Sequence, residues 1–100
     1  MQDKVLSLIS LSKKAGALAC GYDAVCAAID KSADILVIIS NDLSDNTQKK
    51  VYNKCNDRDI NILIIDRTKD EMGAATGQKA LGVMAVTNEK LSQQIIKIST

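Results

Sequence analysis

Three short aliphatic runs, Ile35 to Ile39, Asn61 to Ile65 and Gly82 to Val86, set the frame into which this chain has to fold. The first is continuous, rich in β-branched residues and free of polar ones, the pattern of a central strand covered on both faces. Such a strand needs apolar helix faces above and below it, and the intervening segments supply them. Val5, Leu8 and Ile9, flanked by Leu6 and Leu11, fall on helical spacing and end at Lys13, Lys14 and Gly16, a cationic last turn and a glycine stop. Ala17 to Cys20 reads as a minor strand, and from Asp23 the residues Val25, Ala28, Ile29 and Ser32 trace a second amphipathic helix. Asp45 with Gln48 has capping-box spacing and opens a helix that turns Val51 and Cys55 inward, with Lys50, Lys54 and Arg58 on a neighbouring stripe. Thr68 with Glu71 is a second capping box, opening a short helix that Gly73 and Gly77 loosen or cut off. Asn88 caps a final helix whose apolar stripe is Leu91, Ile95 and Ile98. Helices alternating with aliphatic strands predict an α/β fold, a helix-sheet-helix sandwich, and 100 residues are one domain's worth, residues 1–100.

Composition removes whole classes of function. There is no His, so imidazole bases, Ser-His-Asp or Cys-His nucleophiles and His-containing zinc sites are excluded. Tyr22 and Tyr52 are the only aromatic residues, too few for a base-stacking platform. Thirteen basic against 12 acidic residues give a net charge of +1, so a nucleic-acid partner has to be met by a local patch. Cys20, Cys26 and Cys55 are odd in number and form no C-x-x-C pair, which reads as reduced thiols in a cytosolic protein without a metal knuckle. No aliphatic run approaches a membrane span, and no leader pattern precedes the first helix, so the expectation is a soluble, cytoplasmic protein.

In α/β sheets, ligands are met where loops leave strand ends and helices begin. Three segments qualify, Gly21 to Asp23, Ser40 to Asn46 and Arg67 to Gly77. In Gly21-Tyr22-Asp23, the glycine permits close backbone approach, while Asp23 serves either as a plain helix cap or as an acceptor for base amino groups. Ser40-Asn41-Asp42-Leu43-Ser44-Asp45-Asn46 follows the central strand. Its Asp42 and Asp45 are a weak candidate for Mg²⁺-dependent phosphotransfer, and Leu43 is either a core plug or a ligand contact. Met72-Gly73-Ala74-Ala75-Thr76-Gly77 matches neither phosphate-loop signature, and suits the approach of a large flat partner to an exposed Met72 or close packing on the sheet. Three cation groups, Lys13 with Lys14, Lys50 with Lys54 and Arg58, and Arg67 with Lys69, read singly as solvated faces. Together they suggest a positive rim for phosphate contacts.

The joint order of these motifs, from Gly21-Tyr22-Asp23 through Ile35 to Leu43 to Met72–Gly77 before the V-M-A-V-T-N strand, resembles the ribosomal protein L7Ae superfamily of kink-turn RNA binders, and most closely its bacterial YlxQ-type branch. The resemblance covers nearly the whole chain. It implies a three-layer α/β/α sandwich with a mixed, mainly four-stranded sheet, no catalysis and no cofactor. The implied partner is structured RNA, ribosomal RNA included, with ribosome association. Carried over by position, Gly21 lets RNA backbone come close, and Asp23 stands where most kink-turn binders read tandem G·A pairs with Asn. Leu43 occupies the hydrophobic loop position, and Met72, Gly73, Ala74 and Ala75 match the loop that packs on a flipped-out nucleotide. Two family contacts are replaced, by Ala24 and Ala27, and Lys31 one turn further on offers a substitute phosphate contact. The expected interface is therefore Lys13, Lys14, Gly21, Tyr22, Asp23, Lys31, Asp42, Leu43 and Met72 to Ala75. A protein-interaction module that no longer contacts RNA is the alternative.

Overall fold

The computed structural model describes residues 3–31, 35–56 and 58–99. Its elements run α1 (Lys4–Lys14), β1 (Leu18–Cys20), α2 (Tyr22–Lys31), β2 (Leu36–Ile39), α3 (Asp45–Asn56), β3 (Asn61–Ile64), α4 (Lys69–Thr76), β4 (Val83–Val86) and α5 (Glu89–Ser99). This is the alternation that the sequence pattern predicts. Ser32, assigned to the second helix from its spacing, lies outside the described residues.

The four strands form one mixed sheet in the order β1-β4-β2-β3. β2 and β3 are parallel, with Leu36 opposite Asn61 and Ile39 opposite Ile64. β4 is antiparallel to both of its neighbours, pairing Leu36 with Val86 on one side and Leu18 with Val86 on the other. The run read as central is central, and all four residues of both β2 and β4 are buried.

Strand alternation divides the core into two layers. Leu36, Ile38, Met84 and Val86 point towards α1, α4 and α5, where they meet Ile9, Met72 and Ile95. Val37, Ile39, Val83 and Ala85 point towards α2 and α3, where they meet Val25, Ile29, Val51 and Cys55. A three-layer α/β/α sandwich results. The stripe assigned to the last helix shifts, because Ile98 is 40% exposed while Ser92 and Ile95 face the core. β3 is an edge strand, and its Ile64 is 47% exposed.

Local chemistry sets the helix ends. Thr68 and Glu71 form the predicted reciprocal capping box, and Gly77 closes α4 in the left-handed conformation at φ 76°. Asn88 accepts from the Leu91 amide at 3.0 Å. Two starts differ from the sequence reading. α3 is capped by Ser44, whose carbonyl receives the Gln48 amide at 2.9 Å, so Asp45 is the first helical residue and not the cap. α2 begins at Tyr22, one residue before Asp23, and Gly21 accepts from the Val25 amide at 2.9 Å.

Gly73 is where α4 meets its own return loop. A Cβ there would stand 2.8 Å from the Gln78 carbonyl oxygen and 2.9 Å from the Ala80 backbone, none of which is a flexible side-chain end. An exposed helix glycine gains up to about 1 kcal/mol when replaced by alanine. Here overpacking reverses the sign, and Gly73→Ala is expected to lose about 1–3 kcal/mol in urea unfolding. A midpoint at or above that of the wild type would contradict this packing.

Candidate functional site

Because β1, β2 and β3 run in one direction and β4 in the other, the carboxyl ends of three strands and the amino end of the fourth share one end of the sheet. Four helices, α1 to α4, also begin at this end, so their unpaired amides and positive dipole ends gather there. Backbone bonds tie the loops together. The Gly21 amide donates to the Val83 carbonyl at 3.0 Å, and the Ser40 amide to the Gly82 carbonyl at 2.9 Å. The Asn41 amide reaches the Arg67 carbonyl and the Leu81 amide the Lys69 carbonyl, both at 2.9 Å.

Side chains complete the mesh. Asp42 Oδ1 accepts from the Lys69 amide at 2.9 Å, so this carboxylate is an additional cap for α4. Desolvation pushes the Asp42 pKa up, but the Lys69 amide and the neighbouring Ser40 hydroxyl outweigh it and hold the group below the ordinary carboxylate value. The Ser40 hydroxyl is itself buried and makes no well-formed hydrogen bond. Asn41 Nδ2 donates to Asp66 Oδ1 at 2.9 Å. Arg67 pairs with Asp3, which also caps α1 by accepting from the Leu6 amide at 3.1 Å. The loop end is thus fixed before any partner arrives.

Gly21, Tyr22, Asp23, Asp42 and Leu43 all stand at this end. Gly21 adopts φ 92°, a left-handed backbone that suits glycine, and the position a Cβ would take there has nothing within 4 Å apart from its chain neighbours. Asp23 is exposed, whereas Tyr22 is half-buried against the α2–α3 layer. A hydrogen bond with Cys26, together with desolvation, raises the Tyr22 pKa. Leu43 is half-buried, so it plugs the core in part and keeps surface for a ligand contact. Leu43 packs on the same layer, and its Cδ1 lies only 2.7 Å from where a Gly82 Cβ would be.

The third segment departs from expectation. Met72 is not exposed. It is 0% accessible in the layer beneath α1 and α5, and Gly73 is buried beside it. Of Met72 to Ala75, only Ala74 and Ala75 reach the surface, on the second turn of α4, where they line a cleft of about 470 Å³ against Leu6, Ser7 and Ser10 of α1. The part of the Arg67 to Gly77 segment that stands with Gly21 and Asp42 at the strand ends is its start, together with the rest of the β3–α4 connection, Ile65 to Thr68. Arg67 and Thr68 fall within the segment that the sequence singles out, whereas Ile65 and Asp66 carry no motif that marks them as site residues. For Asp3 a signal exists, since an Asp three residues before Leu6 at the head of an apolar periodic run is a cap signature.

Of the three cation groups expected to form a positive rim, only Arg67 with Lys69 belongs to these loops, and Arg67 is paired with Asp3. Lys13 and Lys14 end α1 and Lys31 ends α2, helices of 11 and 10 residues that start at the loop end, so these lysines lie about 15 Å away at the opposite end. Lys54 pairs with Asp30 at 2.9 Å, and Arg58 approaches the same carboxylate at 3.8 Å. Arg58 also donates to the Ile29 carbonyl at 3.0 Å, so this stripe fastens α3 to α2. The Mg²⁺ reading loses its pair, because Asp42 is used as a cap and Asp45 starts α3. Among the described residues no three His, Cys, Asp or Glu side chains gather as metal ligands. Cys20, Cys26 and Cys55 are free thiols, and burial raises the Cys55 pKa. Among the described residues no helix is long and apolar enough to cross a membrane.

Residues 3–96 match the ribosomal protein L7Ae/L30e/S12e/Gadd45 family. The chain belongs to that family. It is similar to the RNA-binding protein YlxQ of Bacillus subtilis (strain 168), with 30% identity over 91 residues, 91% of this chain and 90% of the relative. A solved structure of a protein with unknown function from Bacillus halodurans C superimposes with a TM-score of 0.87 at 28% identity, over 97% of each chain. The Giardia lamblia 15.5kD RNA binding protein shares the fold, with a TM-score of 0.75 at 17% identity, over 99% of this chain and 90% of that one. The solved relatives share the mixed-sheet sandwich seen here.

The Asp3–Arg67 pair makes that mesh testable by pH. Hydrogen bonding from Arg67 is the largest influence and holds the Asp3 pKa below its ordinary 3.8. A carboxylate with a depressed folded-state pKa contributes stability above its unfolded value and loses it as pH falls through the folded value. The stability gap between wild type and Asp3→Asn is therefore expected to be full at neutral pH and to close below about pH 3.8. Urea midpoints against pH would show it, and a gap that persists unchanged into strong acid would contradict the role given to Asp3.

Proposed function

We propose that this chain is a non-catalytic, cytoplasmic RNA-binding protein of ribosomal type, which recognises structured, kink-turn-like RNA through the loop end of its sheet. The observation that carries the reading is the convergence of Gly21–Asp23, Ser40–Ser44 and Ile65–Lys69 into one hydrogen-bonded surface, in a family that includes an RNA-binding relative. Ribosomal RNA is the first target to examine, and association with the ribosome and translation follows from it.

At this surface the helix amides and the open Gly21 backbone meet sugar and phosphate, while Asp23 meets base edges. Asp23 is an acceptor only, so it takes hydrogen bonds from guanine or adenine amino groups and offers none in return. Ala27, one helical turn beyond Asp23, is exposed, and a lysine there would face the same RNA. With Met72 in the core, Ala74 and Ala75 remain as the small surface residues against which an unstacked nucleotide fits. Positive charge is sparse here, so the recognition is short-range and by shape.

A kink-turn RNA is therefore expected to bind more tightly than the same RNA with disrupted G·A pairs. Asp23→Asn, which restores a donor and removes a negative charge, is expected to strengthen kink-turn binding by roughly tenfold, and Ala27→Lys to add to it. Fluorescence anisotropy at fixed salt reads both effects. Equal, millimolar-weak binding of the two RNAs would overturn kink-turn recognition, and salt-insensitive binding of a protein partner without RNA affinity would favour an interaction module on this scaffold.

A further inference from the structure

We propose that the opposite end of the sheet is a second, sequence-independent RNA surface, on which Lys13, Lys14, Lys31 and Lys90 hold the phosphate backbone of a duplex arm. The inference rests on the RNA-binding reading for its class of ligand, and not on kink-turn recognition.

Charges at the loop end offset one another, since Lys4 and Lys69 open α1 and α4 there and Arg67 is paired with Asp3. Each helix that starts at the loop end brings an acid with it: Asp3 to α1, Asp23 to α2, Asp45 to α3, Asp70 and Glu71 to α4. Long-range attraction of a polyanion therefore has its source elsewhere. At the far end, α1 delivers Lys13 and Lys14 from one helical layer and α2 delivers Lys31 from the other. α5 starts at this end, just after Thr87, whose amide bonds the Ala17 carbonyl at 2.9 Å next to the α1 turn. Lys90 is in its first turn.

All four lysines are exposed, and none forms an ion pair among the described residues. Among the described residues, the acids of the far end are engaged or face elsewhere. Asp30 is taken by Lys54 and Arg58, while Asp59 and Glu89 line a separate cleft of about 180 Å³ beside Ile35 and Asn61. Helix stabilisation explains Lys13, Lys14 and Lys31, which complement the negative ends of α1 and α2. It does not explain Lys90, which sits at the positive end of α5, where the dipole disfavours a cation. A shared anion accounts for all four. An RNA duplex offers that anion as a continuous backbone, and lysines suit it because such contacts position without reading sequence.

The test uses a short, fully paired RNA duplex without internal loops, the intact and G·A-disrupted kink-turn RNAs, and anionic phospholipid vesicles. Wild type is compared with the quadruple variants Lys13→Ala, Lys14→Ala, Lys31→Ala, Lys90→Ala and Lys13→Arg, Lys14→Arg, Lys31→Arg, Lys90→Arg. Wild type is expected to bind the duplex with steep salt dependence. The alanine variant, with unchanged circular dichroism, is expected to bind at least roughly tenfold more weakly, its log-log salt slope falling by about 0.9 for each phosphate it no longer neutralises. The arginine variant keeps both affinity and slope. Unchanged duplex affinity in the alanine variant, no duplex binding by wild type, or tighter binding to the vesicles than to the duplex overturns the proposal. If wild type fails to discriminate the two kink-turn RNAs while the alanine variant loses duplex binding, the loop-end reading falls and this surface stands. Retained discrimination with unchanged duplex binding gives the reverse.

Discussion

Insertion of β4 antiparallel between β1 and β2 is the constraint on which the rest of the molecule depends. Val83 to Val86 are wholly buried and hydrogen-bonded on both sides, so their register is fixed from both faces of the core. That register places the Gly82 and Val83 carbonyls opposite the Ser40 and Gly21 amides. A one-residue slip would exchange the two core layers and separate the loops from one another. The loop surface is therefore a product of core packing, and its rigidity is inherited from β4.

The same topology sorts charge. Helices that begin at one end of a sheet favour acids there and cations at the other end, because each terminus complements its dipole. In this chain the preference leaves the loop end rich in carboxylates, although several are neutralised in place. Asp3 is paired with Arg67, Asp42 with the Lys69 amide and Asp66 with the Asn41 amide group. What this surface offers a partner is geometry and backbone donors. Under the proposal made above, attraction for a polyanion comes from the lysines of the far end, and a near-neutral chain carries two surfaces of different character.

Much of this is legible in the sequence, for local reasons. Ile35 to Ile39 announces a central strand because every residue is aliphatic, and Thr68 with Glu71 announces α4 because a capping box is complete within four residues. Met72 is harder to place because the residues that follow it, Gly73 to Ala75, are all small, so no large apolar residue one turn on marks the face it joins. Ser44 and Asp45 are both good caps, and only the turn geometry chooses between them. Lys13 and Lys14 are close to Gly21 along the chain, yet β1 separates them in space, since a helix end and a strand end divided by the length of one strand lie at opposite ends of the sheet. Asp66 and Arg67 gain their place from the pairing of β3 with β2, a contact between distant segments with no local signature.

The claim at the centre is that a fixed loop mesh at the carboxyl ends of β1, β2 and β3 is the surface that reads RNA. Amide ¹H–¹⁵N shifts during titration with a kink-turn RNA test it residue by residue. The largest changes are expected at Gly21 to Ala24, Asn41 to Ser44 and Asp66 to Lys69, with Ala74 and Ala75 at their margin. Saturating shifts confined to the α1–α4 cleft or to the β3 edge, with these three segments unmoved, would contradict it.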